Sequence, residues 1–288
     1  MSYPILMVVG PAGSGKDTVA AIVARSVNGQ TLALADPMKR LAKILFSFSD
    51  EQLWGPSEMR NAADQYWTAD RMRNQLQNLG ELKAWNWLED VLPGLSREER
   101  LAAGAQLGRW YSDTLVECVK RGVMTPRYVL QTLGTEWGRA FSKNIWIDYG
   151  VRMAQRLLSD GGYTYARSVP SGLRYRTKEE VAADLVIITD GRFRNEVLAI
   201  KAVGGQVWRI EPVTAALALR DQTGKAGVVG HASETEQQGI PDTYFDLVIS
   251  NDKAKGLAAL EKTIGQYCVS PYVPSYRSIY KLPPVLHT

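Results

Sequence analysis

"VVGPAGSGKDTVA", residues 8–20, matches the pattern G-x-x-x-x-G-K-[ST] at every fixed position but the last. Glycines in such a loop let successive backbone N–H groups converge on phosphate oxygens, while the following helix offers its positive end and the lysine a point charge. Gly10, Gly13, Ser14, Gly15 and Lys16 supply those parts. The flanks agree: a short apolar run, "PILMVVG", enters the loop, and "KDTVAAIVARSV", with helical spacing, leaves it. A nucleoside triphosphate is the expected ligand. The departure is Asp17, which stands where a magnesium-coordinating hydroxyl is expected, with Thr18 one place later. Two readings of Asp17 stand: a carboxylate that holds Mg2+ directly or through a water, or an acidic side chain that stabilises the helix N-terminus. Thr18 is the second candidate for the metal.

Outward from the loop, strand and helix signals alternate. "TLALADP" reads as a second short strand ended by Pro37, and "MKRLAKILFSF" is amphipathic at helical spacing. "DLVIITD", the helix "RNEVLAIKAVGG", "QVWRIEP", "FDLVISND" and the helix "KGLAALEKTIGQY" continue the rhythm. Five apolar strands alternating with helices predict an α/β fold, a doubly wound parallel sheet with its ligand crevice at the carboxyl ends of the strands. Residues 50–122 carry tryptophans, charges and helical stretches without a strand signal, and read as a helical insertion. Thr125 and Pro126 read as N-cap and first position of a further helix. Residues 163–178 read as an exposed basic loop. The expected organisation is one domain over 1–268, with core segments 1–49 and 123–268, the insertion, and an extended tail over 269–288, where "SPYVPSYRSIYKLPPVLHT" shows no periodicity.

Composition narrows the function. At 288 residues the chain can bury a full core without staples. Its two cysteines, Cys118 and Cys268, lie far apart and read as packing residues in a reducing, cytoplasmic compartment. No apolar stretch is long enough to span a membrane. The net charge of +4 is spread along the chain, which permits an anionic ligand without specifying nucleic acid. GTPase signatures are missing: no D-x-x-G follows the second strand, and "NDK" at 251–253 has the letters of N-K-x-D in the wrong order.

Read in order after "SGKDT", the stretches "LADPMKRLA", "LQTLGTEWGRAF", "TDGRFRNEVLAIKAVGGQV", "HASETE" and "FDLVISND" resemble the phage-type deoxynucleoside monophosphate kinases of the P-loop superfamily. The resemblance covers residues 4–48 and 125–266 and includes Asp17; the insertion and tail have no counterpart. It implies a P-loop kinase fold with a helical acceptor-binding region and a lid, ATP and Mg2+ as cofactors, and a deoxynucleoside monophosphate as acceptor. A host cytoplasm would be the setting for a phage protein. It implies no nucleic acid or membrane as partner and leaves a homodimer open.

Several placements have physical support beside the resemblance. Asp36 and Lys39 lie just past the second strand, so Lys39 could neutralise the acceptor phosphate while Asp36 binds the sugar or a metal-bound water. Gln131, Thr135 and Arg139, four apart, share a helix face and could read base and phosphate. Trp146 is either a lid on the acceptor base or a core residue. Asp190, at a strand end, suits an acid that orders Mg2+, and Arg192 a bidentate bridge between phosphates, with Asn195 and Glu196 holding it. Asn251 and Asp252, after the last strand, fall where adenine would lie, and Asn251 could read its edge. The resemblance implies a lid over about 211–241, with Arg209 and Arg220 as its candidate cations and His231, Ser233 and Glu234, which match the family's H-x-S-E stretch, as a clasp. Arg167, Arg174 and Arg176 have no counterpart in the family and could reach the site or a partner subunit. Two other functions remain open: a dephospho-coenzyme A kinase, which would want Asp36 as general base, and a nucleotide-gated binding module.

Overall fold

The computed structural model describes residues 4–11, 13–80, 84–159, 182–213 and 236–268, with the backbone alone at 237, 238 and 268, and the backbone alone of 165–167 and 174–176. The chain runs β1 (Ile5–Val9), α1 (Lys16–Ser26), β2 (Gly29–Leu32) and α2 (Asp36–Phe46). Five helices follow: α3 (Asp50–Trp54), α4 (Ser57–Asn61), α5 (Ala69–Gln77), α6 (Trp85–Val91) and α7 (Arg97–Arg121). Then come α8 (Pro126–Thr132), a π-helical segment (Leu133–Arg139), α9 (Ile145–Ser159), β3 (Tyr165–Arg167), β4 (Arg174–Arg176), β5 (Leu185–Gly191), α10 (Arg194–Ala202), β6 (Gln206–Pro212), β7 (Leu247–Asn251) and α11 (Gly256–Cys268).

Five strands form one sheet in the order β2-β5-β1-β6-β7, and every pairing is parallel. The fold is α/β, as the apolar runs predict. The connection out of β1 runs to β2 on one side, and the connection out of β5 crosses β1 to reach β6 on the other, so the switch point lies at the carboxyl end of β1, where the glycine loop begins. β1 is buried along its whole length. Ile5, Met7 and Val9 face one core and Leu6 and Val8 the other, which is why the run shows no alternation of polarity.

The two cores are unequal. On one side α1 and α11 cover the sheet through Val19, Ile22, Val23, Leu260 and Ile264. On the other, residues of the insertion such as Trp67, Met72, Trp87, Leu107 and Leu115 pack in the same cluster as Ile5, Leu32 and Ile188. The helices of 50–122 therefore share the core of the sheet and do not build one of their own. Their ends follow local chemistry: Ser96 and Glu99 form a reciprocal capping box at the start of α7, and Gly122, at φ +67, ends it. Thr125 caps α8 through the Tyr128 N–H at 3.2 Å, with Pro126 in its first turn, as the sequence indicates.

Two elements differ from the sequence reading. β2 stops at Leu32, and the backbone N–H groups of Leu34 and Ala35 leave the ladder to bind a side chain described below. Residues 163–178, expected as loop, contain the antiparallel pair β3 and β4. Three-residue strands of polar sequence carry no alternation to reveal them. Among the described residues no helix is long and apolar enough to cross a membrane.

Candidate active site

The glycine loop stands between β1 and α1. Gly15 is the N-cap of α1 at φ +94, a left-handed conformation that a side chain would strain. With no side chain there to cap the helix, the first N–H groups of α1 stay available to an anion. Gly10 is needed for closeness, because a Cβ on it would meet the Ile210 carbonyl oxygen and Ser14 Oγ, each at 2.6 Å. Ser14 is fully buried and its hydroxyl has no hydrogen-bond partner among the described residues. Lys16 is half-buried, and Asp17 and Thr18 are exposed.

The carboxylate of Asp190, at the end of β5, accepts from the N–H groups of Leu34 (2.7 Å) and Ala35 (2.9 Å), which ties β5 to the turn after β2. Burial raises its pKa, with the two N–H groups opposing. Glu196, in the first turn of α10, accepts from the backbone N–H groups of Arg192 (2.7 Å) and Phe193 (3.0 Å). Burial pushes this carboxyl up to about 7, again against its N–H donors. Glu196 thus holds the backbone of Arg192, whereas the side chain of Asn195 bonds elsewhere. Its amide donates to Lys143 O and Asn144 Oδ1 and accepts from Arg139, which is stacked 3.5 Å over the Phe193 ring. Asn195 fastens the turn before α9 to the start of α10 instead.

Gln131, Thr135 and Arg139 share one wall even though 133–139 is wound as a π-helix. Trp146 both closes the core and lines the site. Its indole donates to Gly134 O at 2.8 Å, its ring lies 6.2 Å from that of Trp137, and a Cβ on Gly138 would meet it at 2.2 Å. Asp36 is 5 % exposed and accepts the Trp54 indole N–H at 3.1 Å, while Lys39 sits 5.8 Å from the Trp54 ring.

These groups enclose a cavity of about 380 Å³ at the carboxyl edge of the sheet. Six cations line it (Lys16, Lys39, Arg60, Arg127, Arg139 and Arg192) against three carboxylates (Asp17, Asp190 and Glu196). Asp36 is not among its lining residues. Arg60, Arg127 and Trp54 were missed by the sequence reading; Arg60 and Trp54 come from the insertion, so no local pattern announced them. Arg60 donates to Leu53 O (3.3 Å), Gly55 O (2.8 Å) and Ser57 Oγ (3.1 Å). Burial lowers its pKa, followed by repulsion from Arg127, while Asp17 opposes.

A second cavity, of about 370 Å³, opens on the other side of the loop, between the start of α1 and the turn from β7 into α11. Gly13, Gly15, Thr18, Asn251, Lys253 and Leu257 are among its walls. Lys16 and Asp17 line both cavities. Thr18 faces only this second one, and Gly10 lines neither, lying beneath the loop.

No family model matches the chain. A protein of Acanthamoeba polyphaga mimivirus with the name "Putative deoxynucleotide monophosphate kinase" is 29% identical over 113 residues. That match takes in 39% of this chain and 57% of the viral protein.

The expected lid falls largely outside the described residues, including Arg220, His231, Ser233 and Glu234. Arg209 is tied down at its base: it donates to Asp242 (2.5 Å) and to Ile240 O (2.8 Å) and lies 4.1 Å over the Phe245 ring. The side chains of Arg167, Arg174 and Arg176 also lie outside the described residues. Cys118 is buried, and burial pushes its thiol up to about 12, in keeping with a packing role.

Proposed function

We propose that the protein is a deoxynucleoside monophosphate kinase that transfers the γ-phosphoryl group of ATP to the acceptor monophosphate. The observation that carries this reading is the pair of cavities meeting at Lys16 and Asp17. A phosphoryl transfer between two nucleotides needs two nucleoside sites facing one phosphate channel, and catalysis of it is mostly positioning and neutralisation. The name of the viral relative supports a nucleotide kinase in general.

In this reading the second cavity takes the donor nucleoside, the glycine loop and α1 take its phosphates, and the cation-rich cavity takes the acceptor. An oxygen of the acceptor phosphate attacks the γ-phosphorus, the bond to the bridging oxygen breaks, and ADP leaves with that electron pair. Lys16 and Arg192 neutralise the transferred group, and Lys39, Arg60 and Arg127 the acceptor phosphate. Mg2+, when bound, shields charge on the triphosphate; it commonly takes one or two protein carboxylates besides phosphate oxygens and water. Asp17, Thr18 and Asp190 fit that donor set, and no group of three or more metal-ligating side chains occurs among the described residues. Gln131, Thr135, Trp146, Trp54 and Leu130 surround the acceptor base.

One observation favours a phosphate over a hydroxyl acceptor. A hydroxyl needs a general base; Asp36, the base the sequence offers, does not line the cavity and its Oδ1 accepts from Trp54, while Asp190 and Glu196, which do line it, are tied to backbone N–H groups. A phosphate monoester has its second pKa near 6 and arrives largely ionised, so no base is required.

The test is ADP release from ATP and Mg2+ with each of the four deoxynucleoside monophosphates and with dephospho-coenzyme A, beside Lys16→Ala and Arg192→Ala. Turnover with a monophosphate that collapses in both variants is the expected result. ATP binding without acceptor-dependent turnover would sink the kinase and leave the nucleotide-gated module.

A further inference from the structure

Asn251 ends β7 on the far edge of the sheet, 237 residues from Ser14, yet its Nδ2 donates to the Ser14 carbonyl oxygen at 2.8 Å. The residue is 7 % exposed. Its backbone is fixed twice, by pairing with Pro212 and by accepting the Val213 N–H at 3.2 Å. Packing is equally close, since a Cβ on Gly15 would lie 2.3 Å from that same Nδ2.

The consequence follows from peptide geometry. In a planar trans peptide the C=O of one residue and the N–H of the next point in opposite directions. Anchoring the Ser14 carbonyl on Asn251 therefore turns the Gly15 N–H the other way, and it keeps a carbonyl dipole from facing an anion. Gly15 can follow because its φ of +94 costs it nothing. We propose that Asn251 is a positioning residue of the phosphate loop, orienting the Gly15 N–H toward a bound triphosphate, and that it does not read the donor base. One N–H of the amide is held by the loop whichever base enters the cavity, a different task from the base reading expected from its place after the last strand. The inference rests on the reading of the loop as a triphosphate site and not on the identity of the acceptor.

The experiment is calorimetric binding of MgATP and of MgGTP to the full chain, for wild type, Asn251→Ala and Asn251→Asp, with thermal melts alongside. Asn251→Ala should weaken both nucleotides by about tenfold, the worth of one hydrogen bond, with the ATP-to-GTP ratio unchanged. Asn251→Asp places a carboxylate against a carbonyl at pH 7.5 and should bind more weakly still. Burial against a carbonyl raises that carboxyl above its ordinary value of about 3.9, so as the pH falls to 5.5 a growing protonated fraction can donate to the Ser14 carbonyl and affinity should recover toward wild type, whereas Asn251→Ala should show no such recovery. A changed ATP-to-GTP ratio would make Asn251 a base reader and overturn the proposal, as would wild-type affinity in both variants. Should Asn251→Ala fail to fold, the pH recovery of Asn251→Asp decides alone. Failure of wild type to bind either nucleotide would overturn the triphosphate reading itself, whereas binding without acceptor turnover would leave this inference standing.

Discussion

Glu196 gives the sharpest handle on how the site is held together. It is 4 % exposed, its carboxyl is bonded to two backbone N–H groups, and burial pushes its pKa up to about 7 from the ordinary 4.5. Because the folded-state value lies above the unfolded one, the native protein holds an extra proton between pH 4.5 and 7. Unfolding stability from this group is then full below pH 4.5 and falls as pH rises through 7. A shift of that size corresponds to about 3 kcal/mol across the window. Glu196→Gln keeps an oxygen to accept the N–H groups of Arg192 and Phe193 but cannot ionise. Urea unfolding of both proteins at half-unit steps from pH 4.5 to 8 should therefore show the difference between them changing by about 3 kcal/mol, with wild type losing ground to the variant as pH rises. Asp148, raised by burial in both proteins, cancels in the difference, whereas Asp190, whose charge helps to raise Glu196, feels the substitution too. Parallel curves would refute the burial of a proton at this position.

Three further perturbations address other parts. Arg60→Ala should raise the acceptor KM by about tenfold while leaving MgATP affinity unchanged, because Arg60 lines the cation-rich cavity alone; equal loss for both substrates would place it elsewhere. Gly138→Ala drives a methyl into the Trp146 ring; steady-state kinetics should show weakened acceptor binding, and an unchanged acceptor KM would mean that Trp146 does not shape that wall. Leu107→Ala, at a position 1 % exposed in the core shared by insertion and sheet, should cost about 2–5 kcal/mol by urea denaturation of the whole protein in one transition. A separate early transition of the insertion would contradict the shared core.

Much of this was legible because it is written in neighbouring residues. The glycine loop needs left-handed conformations at fixed offsets, strands buried on both faces read as unbroken apolar runs, and a Thr-Pro pair caps a helix wherever it sits. The sequence by itself therefore determined the α/β class, the five strands of the sheet, and the loop with Lys16. Gln131, Thr135 and Arg139, expected on one face from their spacing beside the resemblance, line one cavity even with the π-helical winding. Tertiary structure decided what distant segments do to one another. Arg60 and Trp54 reach the site because α3 and α4 pack beside α2 and α8, and that same tryptophan donates to Asp36, which does not line the cavity. β2 is shortened by a carboxylate more than 150 residues away. Asn195 and Asn251 bond to Asn144 and Ser14, partners 51 and 237 residues away that no local pattern names. A hydrogen bond's partner is fixed by where two segments meet in space, and that meeting is a property of the packed core.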